Sequence, residues 1–154
     1  MSTYAVTRSR TVAAAPQRVH GLVNDFHNWR QWSPLEGLDA DLRRSYDGPE
    51  SGVGAHYAWE GNRKAGAGEM EIIASTPDAI RIRLQFFKPF KSTSETTFSL
   101  APEGAGTSTR VTWLMTGTST GVFGLLSRFM SFDTMVGPDF EKGLDQLARA
   151  AERA

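Results

Sequence analysis

The 154-residue chain contains no cysteine. This absence excludes disulfide bonds, zinc sites built on thiolates and cysteine nucleophiles, and it is compatible with a reducing compartment. The chain must therefore be stabilised by a packed core. Its length suits one domain that buries about two thirds of its unfolded surface, so we expect residues 1–154 to form a single domain.

Long apolar runs and an excess of one charge are also missing. No stretch approaches the ~20 apolar residues of a transmembrane helix, and the N-terminal stretch alternates as a strand does, without the apolar core of a signal peptide. Lysine plus arginine number 17, as do aspartate plus glutamate. The balance argues against a nucleic-acid or anionic-membrane surface. We expect a cytoplasmic protein with no nucleic-acid partner and no stable membrane insertion.

Metal and cofactor motifs are lacking as well. His20, His27 and His56 do not stand at metal-ligand spacings, and no carboxylate-rich cluster accompanies them. The chain has no nucleophile elbow, phosphate-binding loop or dinucleotide fingerprint. The sequence therefore predicts neither a metal nor a cofactor.

Alternating apolar and polar residues predict seven strands. The first covers residues 3–13, and after a short helical stretch with Pro16 in its first turn, six more follow at 38–48, 54–61, 66–75, 79–87, 92–101 and 107–117. The short, turn-rich connections between these six predict antiparallel hairpins. Glu69 and Glu71 alternate with apolar residues, as do Arg81 and Arg83, which predicts cross-strand ion pairs on the solvent face.

A long C-terminal helix is predicted from apolar residues at three- and four-residue steps: Phe129, Phe132, Val136, Phe140, Leu144 and Leu147. Pro138 interrupts this pattern and should kink the helix unless the helix begins near it. The order predicts an α+β fold, in which an antiparallel sheet curves around one helix. Because one cylinder cannot fill so wide a concavity, a hollow can remain between them.

The chain resembles the helix-grip superfamily, which includes START domains, the birch-pollen-allergen fold and polyketide cyclase/dehydrase-like proteins. The resemblance covers essentially the whole chain and is carried by "AAAPQRVHGLVNDFHNWRQWSP", "SGVGAHYAWEGN", "STRVTWLMTG" and "DTMVGPDFEKGLDQL". It implies a seven-stranded curved sheet around the C-terminal helix, with two short helices between strands 1 and 2. It also implies an internal cavity for a hydrophobic small molecule, but no single reaction.

Strand and helix periodicity, weighed with this resemblance, gives the candidate cavity residues. For any one of them, simple core packing is the alternative. The candidates are Trp32, Tyr57, Trp59, Met70, Leu84, Phe86, Trp113, Met115, Phe123, Phe132, Val136 and Phe140.

Two further expectations concern the mouth of the cavity. In "DFHNWRQWSPL", Asp25 is expected to cap the short helices, while Trp29 and Trp32 close one end of the fold; Trp32 is the expected ligand contact. Residues 116–132, with three glycines and several large apolar side chains, are expected to form a lid.

Three functions stay open at this point. The first is a binder of a lipid, an aromatic metabolite or a polyketide. The second is a polyketide cyclase or dehydratase, in which the cavity orders the substrate and an acid/base pair moves protons. Its candidates are Tyr57, Glu95, Thr97, Ser94 and His27, and Glu95 is disfavoured if Phe98 points inward. The third is a protein-interaction module with a filled interior and an exposed apolar patch. A monomer or a homodimer would suit any of them.

Overall fold

A computed structural model describes residues 2–34, 39–63, 65–88, 91–119 and 132–153. The chain begins with strand β1 (Ser2–Val12), helix α1 (Pro16–Asn24) and a 3-10 helix (Phe26–Gln31). The remaining elements follow in chain order: β2 (Arg43–Asp47), β3 (His56–Glu60), β4 (Ala67–Thr76), β5 (Ala79–Lys88), β6 (Ser92–Glu103), a 3-10 turn (Gly104–Gly106), β7 (Ser108–Ser119) and α2 (Phe132–Glu152).

The seven strands form one antiparallel sheet in the order β1-β7-β6-β5-β4-β3-β2. Strands β2 to β7 are joined as successive hairpins, as the short connections predict, and β1 closes the series by pairing with β7. The curved sheet, the C-terminal helix and the short helices confirm the predicted helix-grip fold. Of the helices that the described residues form, none combines the length and the apolar character needed to cross a membrane.

Helix α2 crosses the inner face of the sheet close to β1. Arg10 of β1 donates a hydrogen bond to Asp145 at 2.8 Å, and Arg8 lies 3.8 Å from Glu141. Pro138 is the seventh residue of α2, and the helix continues past it to Glu152. Phe140, Leu144 and Leu147 are buried, so the predicted apolar stripe faces the sheet. Phe129 lies outside the described residues.

Charged side chains on the outer face partly follow the predicted pairing. Glu71 and Arg83 stand opposite each other in β4 and β5 and form an ion pair at 3.2 Å. Arg81 instead pairs with Glu95 of β6, whose Oε1 accepts from Nε at 2.8 Å. The reason is the strand register, which sets Glu71 opposite Arg83 and Glu69 opposite Gln85, so that Arg81 faces Ala74 and no glutamate of β4. Glu69 is 3.2 Å from His56.

Candidate functional site

A cavity of about 150 Å³ lies between the inner face of the sheet, the segment that ends the 3-10 helix, and α2. Its wall is almost entirely apolar, and it comes from three parts of the chain. The sheet contributes Met70, Leu84, Phe86, Thr96, Trp113 and Met115. The 3-10 segment contributes Trp29, Ser33 and Pro34, and α2 contributes Val136, Asp139 and Phe140.

Sheet register explains why residues so distant in sequence share this wall. Met70 stands opposite Leu84 in the β4–β5 pair, and Thr96 stands opposite Met115 in the β6–β7 pair. Because side chains alternate across a strand, each pair presents both of its members to the same face. The inner face of four neighbouring strands therefore forms a continuous apolar floor under α2.

Trp29 and Trp32 are fixed by hydrogen bonds to the last turn of α1. The indole N–H of Trp29 donates to the Val23 carbonyl at 2.8 Å, and that of Trp32 donates to the Leu22 carbonyl at 2.9 Å. Trp29 lies on the cavity wall, whereas Trp32 is 1% exposed and packs behind it at a ring-centroid distance of 4.5 Å. The structure thus places Trp29, and not Trp32, at the cavity.

Asp25 is the N-cap of the 3-10 helix, as predicted. Its Oδ1 accepts the backbone N–H of His27 at 2.9 Å and lies 2.7 Å from Nδ1 of the same residue. The His27 ring stacks on Tyr46 with centroids 4.0 Å apart and is half exposed. His27 is therefore directed to the surface beside β2, away from the residues that line the cavity.

Trp113, which lines the cavity, packs against three other aromatic rings. Its ring stacks almost parallel to that of Phe140, with centroids 4.2 Å apart and an interplanar angle of 10°. It also contacts Phe98 and the edge of Trp32. Its buried Nε1 finds no hydrogen-bond acceptor in the part of the chain that the structure describes. Trp113 therefore keeps one buried donor that the described residues do not satisfy.

A polar pair lies beside the cavity on the same inner face. Tyr4, Gly117, Ser94 and Leu84 are consecutive neighbours across β1, β7, β6 and β5. A Cβ on Gly117 would lie only 2.6 Å from Oη of Tyr4, so the glycine leaves room for the phenol to reach Ser94. Burial raises the pKa of Tyr4 above its ordinary value, and the side-chain hydrogen bond with Ser94 acts in the opposite direction.

The structure brings most of the predicted cavity residues together on the wall: Met70, Leu84, Phe86, Trp113, Met115, Val136 and Phe140. Tyr57 and Trp59 are buried on the inner face of the sheet but do not line the cavity. The ring of Trp59 lies over Gly68 and meets Phe86 edge-on, so Phe86 stands at the cavity in its place. Phe123 and the side chain of Phe132 lie outside the described residues. The same is true of residues 120–131, which make up most of the predicted lid.

Sequence reasoning did not select Trp29, Ser33, Pro34, Thr96 and Asp139 as wall residues. For Thr96 a signal was present, because it alternates in phase with the buried Ser94, Phe98 and Leu100 of β6. Its position two residues before an inward Phe98 indicates an inward hydroxyl. For Ser33, Pro34 and Asp139, the pattern offers no comparable signal.

The candidate acid/base residues lie on different faces of the sheet. Phe98 is fully buried, so Glu95 and Thr97 lie on the outer face, where Glu95 pairs with Arg81. Tyr57 packs between Phe26 and Trp59, away from the wall. Ser94 and Tyr57 both face inward, and each stands opposite a wall residue, Leu84 and Met70 respectively. Within the described ranges, no group of histidine, aspartate and glutamate side chains could hold a metal ion.

Comparisons with known proteins agree with this architecture. A sequence model of the family described as polyketide cyclase/dehydrase and lipid transport matches residues 3–152. No curated protein sequence matches the chain.

Solved structures of the same fold are numerous. The Mll3558 protein of Rhizobium loti is 22% identical, with a TM-score of 0.67 and 96% of each chain covered. Protein CV1439 of Chromobacterium violaceum is 17% identical, with a TM-score of 0.69, over 97% of this chain and 99% of that one. Norcoclaurine synthase of Thalictrum flavum is 12% identical, with a TM-score of 0.71, over 99% of this chain and 88% of that one. At these identities the likeness establishes the fold alone.

Proposed function

The chain belongs to the polyketide cyclase/dehydrase and lipid transport family, and on this basis we propose that it binds an apolar small molecule in the cavity between the sheet and α2. The observation that carries the proposal is the continuous apolar wall. Large aromatic side chains and two methionines supply flat and adaptable contact surfaces, which ligand pockets commonly use. Buried Ser33 and Thr96 add a few polar groups that can orient a ligand.

The cavity volume limits the size of the ligand. Pockets for drug-sized molecules usually measure about 300–1,000 Å³, whereas an apolar cavity of about 150 Å³ can hold a molecule the size of benzene. The cavity of about 150 Å³ therefore suits one aromatic or alicyclic ring with small substituents. A whole lipid or an extended polyketide would require a larger space than this one.

An enzymatic role is the second candidate, and the Tyr4–Ser94 pair is the observation that favours it. The pair lies on the inner face beside Leu84 of the wall, and burial raises the Tyr4 pKa, so the phenol keeps its proton at neutral pH. A neutral phenol next to an apolar cavity can donate a hydrogen bond to a ligand oxygen. Cyclase or dehydratase chemistry would then depend on Tyr4, with Ser94 holding it in place.

A protein-interaction module has less support. That function predicts an exposed apolar patch and a filled interior. Among the described residues, the large apolar side chains that stand exposed are Val53 and Phe87, on separate parts of the chain. Scattered exposed apolar residues are ordinary on a protein surface.

The single domain, the cytoplasmic location and the monomeric or homodimeric state stay predictions. Light scattering would check the oligomeric state, and cell fractionation would check the location.

Native mass spectrometry of the freshly purified protein, followed by titration with toluene, tests the binding function. We expect a retained apolar adduct, or saturable toluene binding that quenches tryptophan fluorescence. Leu84→Trp should abolish binding, because the larger side chain fills the cavity from its wall. Phe87→Trp adds an indole at an exposed position of the same strand and should leave binding unchanged. No adduct and no binding of toluene to the wild-type protein would contradict the proposal.

A further inference from the structure

The polar side chains of the cavity wall differ in whether they already have a partner. They are Ser33, Thr96 and Asp139. Asp139 is exposed to solvent, and Ser33 already takes part in an interaction of its own. Thr96 is only 4% exposed, and its hydroxyl makes no hydrogen bond within the described ranges of the chain. The wall therefore contains a buried hydroxyl that the described residues leave unpaired.

The Thr96 hydroxyl opens into the cavity. Strand β6 lies between β5 and β7, and Thr96 is on its inner face, in phase with the fully buried Phe98. Among the described side chains, Nε1 of Trp113 is the one completely enclosed nitrogen or oxygen that lacks a hydrogen-bond partner. The Thr96 oxygen also lacks a partner but is not completely enclosed, so it keeps some accessible surface. Because strands cover both sides of β6, this surface faces the cavity that Thr96 lines.

The cross-strand neighbours of this hydroxyl are apolar. Ile82 stands opposite Thr96 in β5, and Met115 stands opposite it in β7. A valine has nearly the same shape as threonine and would suit this apolar floor without a polar group. A hydroxyl that leaves water for such surroundings loses its hydrogen bonds, and only a partner inside the cavity can replace them. Thr96 is therefore suited to contact a polar atom of a bound molecule.

The charges around the cavity narrow the chemistry of that partner. None of the described residues that line the cavity is positively charged, and Asp139 adds a negative charge. A carboxylate ligand would lose its hydration without gaining a counter-ion, so a neutral polar group is favoured. A threonine hydroxyl can both donate and accept a hydrogen bond, and a hydroxyl group on the ligand can do the same. The two hydroxyl groups are therefore complementary in either direction.

We propose that the cavity takes a neutral single-ring compound that carries a hydroxyl group, and that the Thr96 hydroxyl forms a hydrogen bond with it. This inference rests on the proposed binding function and specifies its ligand class. The ring lies against the apolar side chains of the wall, such as Leu84 and Met115, and its oxygen faces β6. Thr96 is then the residue that distinguishes a hydroxylated ring from a hydrocarbon of the same size.

Phenol and toluene test the proposal, because they have the same shape and differ by a hydroxyl in place of a methyl group. Both are titrated by calorimetry into the wild-type protein and into Thr96→Val at neutral pH, where phenol is uncharged. The preference for phenol is the ratio of the toluene dissociation constant to that of phenol. We expect Thr96→Val to lower this ratio about 3- to 10-fold, the usual effect of one net hydrogen bond.

Thr93→Val is the matched control for this substitution. Thr93 lies in the same strand but is exposed on the outer face, so its replacement should keep the wild-type ratio within twofold. If Thr96→Val keeps the wild-type ratio as well, the inference is overturned and the binding function stands. Binding of neither probe to the wild-type protein would overturn both.

A second measurement uses only the wild-type protein, so it does not depend on the folding of a variant. In the phenol complex, nuclear Overhauser effects from the Thr96 γ-methyl protons should be strong to the ortho protons of phenol and weak to its para proton. The reason is that the hydroxyl end of the ring faces Thr96. Stronger effects at the para proton, or none between Thr96 and bound phenol, would overturn the inference.

Discussion

Gly143 of α2 lies so close to Trp113 that a Cβ on the glycine would be 2.7 Å from Cζ3 of the indole. The same Cβ would be 3.1 Å from Cδ of Pro34. Both neighbours line the cavity, and the Trp113 ring is packed against Phe140, Phe98 and Trp32. The missing side chain is what allows α2 to approach the sheet closely enough for Phe140 to stack on Trp113.

Gly143→Ala should therefore destabilise the protein although alanine is the better helix former. Helix propensity alone would stabilise α2 by about 1 kcal/mol, but overpacking a filled site costs about 1–3 kcal/mol. We expect a net loss of up to about 2 kcal/mol in the free energy of unfolding, measured by urea denaturation. The Trp113–Phe140 stack should also shift, with a change in near-ultraviolet circular dichroism.

Gly21→Ala is the matched control for this substitution. Gly21 also lies inside a helix, α1, but nothing stands within 4 Å of the position that its Cβ would take. The alanine should raise the free energy of unfolding by up to about 1 kcal/mol. If both alanine variants are stabilised alike, the contact between Gly143 and Trp113 does not limit the approach of α2.

Asp25→Ala should destabilise the segment that presents Trp29 to the cavity. The carboxylate accepts the first free N–H of the 3-10 helix, and removing such a cap costs about 1 kcal/mol. Asp25→Asn keeps a side-chain acceptor and should lose much less stability. Thermal unfolding of both variants measures the difference. Equal losses would show that the negative charge beside His27, and not the cap, is what stabilises the segment.

The choice between Trp29 and Trp32 shows where prediction from sequence ends. The two residues are three apart, which in a 3-10 helix places both on the same side. The pattern therefore predicts correctly that both face the core, but it cannot rank them. Their ranking is decided by which α1 carbonyl each N–H reaches, Val23 for Trp29 and Leu22 for Trp32. Those partners are set by the crossing of two helices, which no local pattern specifies.

Strand residues were easier to predict because alternation assigns a face without reference to other strands. Leu84, Trp113 and Met115 were placed inward for this reason, and all three line the cavity. Trp59 was also placed inward and is buried, but its position relative to the cavity depends on its neighbour in β4. That neighbour is Gly68, and the space above it accepts the indole. Register between strands is long-range information, so this outcome could not be predicted from β3 itself.

Glu95→Gln should have little effect on ligand binding or stability. Glu95 lies on the outer face and pairs with Arg81, and an exposed ion pair of this kind contributes about 0–1 kcal/mol. Toluene affinity should stay within twofold of wild type, whereas Leu84→Trp, on the inner face of β5, should abolish binding. Calorimetric titration makes the comparison. A large loss of binding in Glu95→Gln would show that the outer face of β6 takes part in the function.

Tyr4→Phe should remove part of the alkaline instability of the protein. The pKa of Tyr4 in the folded state is raised by burial above its ordinary value of about 10, so the folded protein holds this proton more tightly than the unfolded chain does. The stability that this difference contributes is complete below about pH 10 and is lost as the pH rises through the folded-state pKa. Wild-type protein should therefore lose stability above pH 10 more steeply than Tyr4→Phe.

Urea unfolding between pH 8 and 11, with absorbance titration of the phenolate, measures this difference. At neutral pH, Tyr4→Phe should cost about 1 kcal/mol, because it removes the hydrogen bond with Ser94. Tyr46→Phe is the control, since it removes a phenol at the opposite edge of the sheet and should leave the late-titrating phenol in place. If Tyr4→Phe and wild type lose stability in parallel above pH 10, then Tyr4 is hydrated in the folded protein. The Tyr4–Ser94 pair could not then serve as a buried hydrogen-bond donor beside the cavity.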